Sequence, residues 1–112
     1  MFAMKKSEVK DLVAPKKSYK YKVKVTNQFK KDVVLASKSG LNLEVLQHAV
    51  EMLASDGGLP PEYKTHSLKG KGFANCLECH LQPNWLLIWM QDDKNLIIMC
   101  VSTGSHAYLF GM

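Results

Sequence analysis

FANCLECHLQPNWLLIWMQDDKNLIIMCV, residues 73–101, holds three apolar runs separated by two short polar breaks. The first run is FANCLECHL (73–81); Pro83-Asn84 turns it into WLLIWM (85–90), and QDDKN turns that into LIIMCV (96–101). β-Branched and aromatic runs bounded by Pro, Asn and Asp read as strands, and links this short join strands antiparallel. The stretch predicts a three-stranded meander, against which the rest of the chain must bury its apolar faces.

Upstream, YKYKVKVT (19–26) alternates strictly, with Tyr19, Tyr21, Val23 and Val25 on one side and lysines on the other. That is the pattern of a half-buried strand. Asn27 is expected to cap the helix NQFKKDVVLASKS, which buries Phe29, Val33 and Ala36 and stops at Gly40. A second helix starts near Asn42, because Leu43, Leu46, Val50 and Leu53 recur at core-facing intervals, and Gly57-Gly58 ends it. LPPEYKTHSLKGKG (59–72) reads as a loop. Gly104 breaks the last strand, and SHAYLF (105–110) is a helical turn capped by Ser105. The order β-α-α-β-β-β-α predicts an α+β domain over residues 19–112, an antiparallel sheet with two helices packed on one face and the other face partly open. Residues 1–18 are Lys-rich and are expected as a solvated basic tail, with at most a short helix at Ser7–Val13. Such an arm adds nonspecific attraction for nucleic acid.

At 112 residues and 46% hydrophobic content, the chain suits one small folded domain. Its net charge of +5 favours an anionic partner such as nucleic acid, an acidic protein or a membrane surface. All 15 basic residues are lysines. No planar guanidinium is therefore available to grip a phosphate, and such contacts fall to Lys, His or backbone N–H. The N-terminal stretch lacks the apolar core of a secretory signal, and no apolar run approaches the ~20 residues of a membrane helix. With three cysteines, an odd number, a cytoplasmic protein with reduced thiols and no membrane association is expected.

CLECH (76–80) matches the C-x-x-C-H pattern of covalent haem attachment. On a strand, however, Cys76 and Cys79 point to opposite faces with Cα atoms roughly 10 Å apart, beyond the ~7 Å that a disulfide tolerates. Two sulfurs so placed cannot share a zinc ion, and no second C-x-x-C or H-x-x-x-H completes a tetrahedral site. Neither haem nor metal is expected. Cys79 becomes a small core residue, and His80 stands on the polar face beside Glu78.

Four histidines occur. His48 lies on the second helix and reads as a solvated residue. His66 in the basic loop, His80 near a strand end and His106 in the last turn can converge on the exposed sheet face. Several imidazoles around a basic cleft suit RNA cleavage: one removes the 2′-OH proton, another protonates the leaving 5′ oxygen, and positive charge steadies the phosphate. An unperturbed pKa of ~6.5 allows either role near neutrality. The Thr103-Gly104-Ser105 turn offers backbone N–H groups at a helix start as an anion seat, and Trp85 or Phe110 offers a face on which a base can stack.

The stretches LPPEYKTHSLKGKG, ECHLQPNWLLIW and STGSHAYLF, in this order and with the last at the C-terminus, resemble the YafQ branch of the RelE superfamily of bacterial toxins. The resemblance covers residues from about 19 to 110. It implies the toxin of a type II toxin–antitoxin system, a ribosome-dependent mRNA endoribonuclease. Cleavage would proceed by metal-free acid–base chemistry without a cofactor. A cognate antitoxin would neutralise it, and operator DNA would be reached only through that antitoxin. It also implies that His66, His80 and His106 are catalytic, that Trp85 and Phe110 belong to the site, and that Lys69 and Lys71 hold phosphate. Two positions depart from the family pattern. Asn84 stands where an aspartate is usual, and Ser102 where an arginine is usual; both positions belong to the substrate-binding set. Losing one preorganised charge stabiliser commonly lowers a rate by ~10²–10³, so reduced activity is one expectation. The alternative is a catalytically weakened or inactive homologue that binds antitoxin as a co-repressor.

Overall fold

A computed structural model of the chain describes residues 4–69 and 72–111. Strand β1 (Lys22–Val25) places Val23 and Val25 against the core and turns Lys22 and Lys24 outward. Helix α2 (Asn27–Lys38) follows directly, and its cap is Thr26 rather than the expected Asn27. The Thr26 hydroxyl accepts from Phe29 N–H at 3.0 Å and donates to the Val101 carbonyl at 2.7 Å, so one side chain starts the helix and ties it to the last strand. Helix α3 (Leu43–Asp56) is capped by Asn42 and ends at Gly57, whose φ of +72° is the left-handed conformation that closes helices. Gly57 is needed on a second count, because an added Cβ would lie 2.8 Å from the Tyr21 ring.

The sheet has five strands in the order β1-β5-β4-β3-β2. The expected meander is present as β3 (Leu77–Gln82), β4 (Trp85–Asp92) and β5 (Ile97–Gly104), all antiparallel. Strand β1 adds to its outer edge parallel to β5, which makes the sheet mixed rather than purely antiparallel. A two-residue strand β2 (His66–Ser67), expected as loop, pairs with β3 on the other edge. Strand β3 starts at Leu77, later than expected, because Cys76 N–H closes a turn onto the Phe73 carbonyl and Asn75 has φ +66°. Strand β5 runs on through Gly104 rather than breaking before it.

The apolar faces of α2 and α3 (Phe29, Val33, Leu46, Val50, Leu53) meet Cys79, Leu87, Trp89, Ile98 and Cys100 of the sheet in one buried cluster. Residues 6–13 form helix α1 (Lys6–Val13), close to the short helix allowed at Ser7–Val13, but the segment is not a solvated tail, because its Val9 and Val13 are buried in that cluster. α1 packs against α2 and α3, and the Gln47 amide donates to the Leu12 carbonyl at 3.0 Å. Among the described residues no helix is long and apolar enough to cross a membrane.

Candidate active site

Paired residues of neighbouring antiparallel strands share a sheet face. Leu86 of β4 is opposite both His80 of β3 and Gly104 of β5, which aligns His80 with the start of α4 (His106–Phe110) on the face away from the helices. The result is direct: the His80 and His106 rings lie 5.9 Å apart between centroids. The Phe110 ring lies tilted at 6.0 Å from His106, and Phe73 meets Phe110 edge-on at 5.7 Å. Ser105 caps α4 by accepting from Tyr108 N–H at 3.1 Å, and Asn84 accepts from His106 N–H at 3.4 Å. Two N–H groups at this helix start are therefore already taken, and Thr103 N–H of the expected anion seat is committed to Asp32.

His66 joins from the sheet edge. β2 pairs His66 with Glu78, two residues before His80 on the same face of β3. His66 Nε2 lies 3.1 Å from a Glu78 carboxylate oxygen, and Nδ1 lies 3.1 Å from the Lys64 carbonyl. Both partners are acceptors, so the ring uses both contacts at once only when it carries two protons. Glu78 is 3% exposed while the His66 side chain is 52% exposed, which leaves a fixed imidazole edge facing solvent. Beside it, Glu62, Lys64, His80, Gln82 and Pro83 line an open hollow of about 370 Å³.

The other expected site residues divide. Phe110 is half-buried in the cluster, Asn84 is exposed beside it, and Lys69 is exposed in the loop after β2. Lys71 lies outside the described residues. Trp85 is corrected: it is 1% exposed within the core, its indole N–H donates to the Thr103 hydroxyl, and no base can reach its face. Ser102 is also corrected as a substrate contact. It is buried, and its hydroxyl donates to Asp32 of α2. His48 is an exposed residue of α3.

All three cysteines are free and buried. Burial pushes the Cys79 and Cys100 thiols up to about 12, so they pack as small apolar groups and are poor ligands or nucleophiles. Among the described residues no group of three or more His, Cys, Asp or Glu side chains is arranged to hold a metal ion. Two members of the cluster escaped the sequence reading. Glu78 was legible as a strand neighbour of His80, but its pairing with His66 depends on β2. Phe73 was expected as the first residue of the strand 73–81, and the turn at Asn75 places it instead against Phe110.

Comparison with known proteins agrees with this fold. Residues 21–111 match the family described as bacterial toxin of type II toxin-antitoxin system, YafQ. The mRNA interferase toxin YafQ of Escherichia coli K12 is 35% identical over 92 residues, which span 80% of this chain and 95% of that protein. The E. coli DinJ–YafQ toxin–antitoxin complex contains a chain that superimposes with a TM-score of 0.73 at 32% identity, covering 82% of this chain and 99% of that one. A metal-bound toxin from Helicobacter pylori superimposes with a TM-score of 0.71 at 36% identity, covering 79% and 97%. The chain belongs to the YafQ family of bacterial toxins from type II toxin–antitoxin systems.

Proposed function

We propose that this toxin is an mRNA endoribonuclease, acts on message held by the ribosome, and is neutralised by a cognate antitoxin. The relative named an mRNA interferase and the solved toxin–antitoxin complex support the activity and the partner. The observation that carries the chemistry is the approach of His80 to His106, at 5.9 Å between ring centroids, with both rings partly exposed.

In this reading one of the two imidazoles takes the proton from a ribose 2′-OH. The freed oxygen attacks the adjacent phosphorus, and the other imidazole protonates the departing 5′ oxygen, which leaves a 2′,3′-cyclic phosphate. Each transfer is worth roughly 10²–10⁴ in rate. His66, held by Glu78 and the Lys64 carbonyl, stands with its exposed ring at the sheet edge beside the hollow, where it lies against the phosphate. Lys64 at the hollow and Lys69 after β2 add point charges. Phe110 and Phe73 give an aromatic wall for a neighbouring base. Ordering the message in the reactive geometry is left to the ribosome. Operator DNA is reached through the antitoxin.

Ser102 favours a second reading, a weakened homologue that holds antitoxin as a co-repressor, because its hydroxyl is turned away from the histidines to Asp32. Induced expression in a bacterium, with growth and mRNA 5′ ends followed together, separates the two. The nuclease predicts growth arrest and new ends inside coding sequence, both reduced about 10²-fold or more by His106→Ala. Unchanged ends on induction would leave the co-repressor; full toxicity of His106→Ala would remove His106 from the chemistry.

A further inference from the structure

Two carboxylates are buried among the described residues: Glu78, which meets His66, and Asp32 at 2% exposure, which has no part in the chemistry above. A buried carboxylate is tolerated only when its oxygens are satisfied, and Asp32 has four donors from three elements. One oxygen accepts from the Gln28 amide at 2.9 Å and the Tyr108 hydroxyl at 2.6 Å. The other accepts from Thr103 N–H at 3.1 Å and from the Ser102 hydroxyl. The place is specific. β1 ends opposite Cys100, so the outer edge of β5 beyond it has no strand partner, and Asp32 takes the Thr103 N–H there.

Tyr108 is the contact that leads to the site. α4 has five residues, too few to be stable without tertiary support. Its Tyr108 ring lies so close over Gly104 that a Cβ there would come within 2.6 Å of it. The ring is thus fixed at its base by Gly104 and at its tip by Asp32. His106 and Phe110 stand two residues to either side on the same short helix.

We propose that Asp32 is a positioning residue for the active site: clamped to β5 by Ser102 and Thr103, its carboxylate holds α4 through the Tyr108 hydroxyl and thereby sets His106 against His80. The serine at position 102 then has a task of its own, as a donor to this anchor. The consequence for catalysis rests on the acid–base reading above; the consequence for geometry does not.

Tyr108→Phe in the full chain removes one hydroxyl and keeps the ring on Gly104. Two readouts are taken: proton NMR contacts between the His80 and His106 rings, and cleavage of message on programmed ribosomes over a range of toxin concentrations. The expected result is loss of the inter-imidazole contacts and a fall in the saturated cleavage rate of about tenfold, with half-saturation unchanged and only a modest fall in Tm. Ring contacts and rate both intact would overturn the proposal, as would an effect confined to half-saturation. A lowered Tm with the ring contacts preserved would make the tyrosine merely structural, and also overturn it. Should even the unmodified chain leave message uncut, the nuclease reading fails, while the NMR comparison still decides whether Tyr108 positions His106.

Discussion

Single side chains in this protein are committed in chains of donors and acceptors rather than one at a time. Three tyrosines show it: Tyr19 donates to Glu51 at 2.8 Å, Tyr21 to Asp93 at 2.6 Å and Tyr108 to Asp32 at 2.6 Å. Each hydroxyl gives its proton to a carboxylate, and that bond is the main cause that raises its pKa above the ordinary value near 10. The sign for stability follows. A raised pKa means that the folded chain holds the proton longer than the unfolded one, so the stabilisation is complete below pH of about 10 and is lost as pH rises from there through the folded values. Tm should therefore fall more steeply from pH 9 to 11 in the native protein than in a Tyr19→Phe, Tyr21→Phe double variant. Equal slopes in thermal melts would show that the phenols do not contribute to the alkaline limb. None of these pairings was visible in the sequence, since each joins residues 32 or more positions apart. His66, His80 and His106, by contrast, were found as candidates, because imidazoles in loops and at strand ends are legible without coordinates. Trp85 misled for a definite reason: WLLIWM is apolar at every position, so period-two alternation gives no polar face to tell inside from outside.

At the level of elements, helices α2 and α3 and the meander were legible because their apolar spacing and their Gly, Asn and Pro stops agree with one another. β2 was not, since two residues carry no period. The parallel addition of β1 to β5 is not written in either strand, because it joins segments some 75 positions apart (Lys22 with Ile97). α1 is the instructive case. Lys5, Lys6 and Lys10 give the segment a solvated look, yet Val9, Leu12 and Val13 fall at positions i, i+3 and i+4 and form a narrow apolar stripe. That stripe is buried: Val9 is 0% and Val13 3% exposed. The family match begins at residue 21, so α1 lies outside the part of the chain shared with the relatives, and still joins the core. Val9→Ala should lower stability by about 2 kcal/mol, two methyl groups' transfer plus a partly collapsed cavity. Lys10→Ala, on the exposed side, should change it by less than about 0.5 kcal/mol. Urea unfolding with unchanged slope measures both, and equal small effects would mean that α1 is not part of the cooperative unit.

For the whole molecule the deciding quantity is charge without guanidinium. Fifteen lysines against ten acids give +5, and those on β1 (Lys22, Lys24), at the hollow (Lys64) and after β2 (Lys69) are exposed. An ammonium is a strongly hydrated point charge that pulls on any phosphate without fixing its orientation. Attraction to RNA in this protein should therefore be mostly long-range and weakly selective, and the proposed function leaves register to the imidazole cluster and the ribosome. Such binding releases condensed counterions, and on single strands log K falls with log salt at about −0.7 per phosphate neutralised. Fluorescence anisotropy with a labelled single-stranded RNA between 50 and 300 mM salt should give a straight line of that kind, with a slope set by a few lysines and the same for any base sequence. Lys22→Gln with Lys24→Gln should flatten the slope if the β1 edge takes part. His106→Ala should leave it unchanged, because in the proposed chemistry His106 moves protons at one bond and contributes little to counterion release. A salt-insensitive affinity, or one that tracks base sequence, would mean that the isolated protein reads RNA by direct contacts, and would overturn the proposal that the ribosome sets specificity.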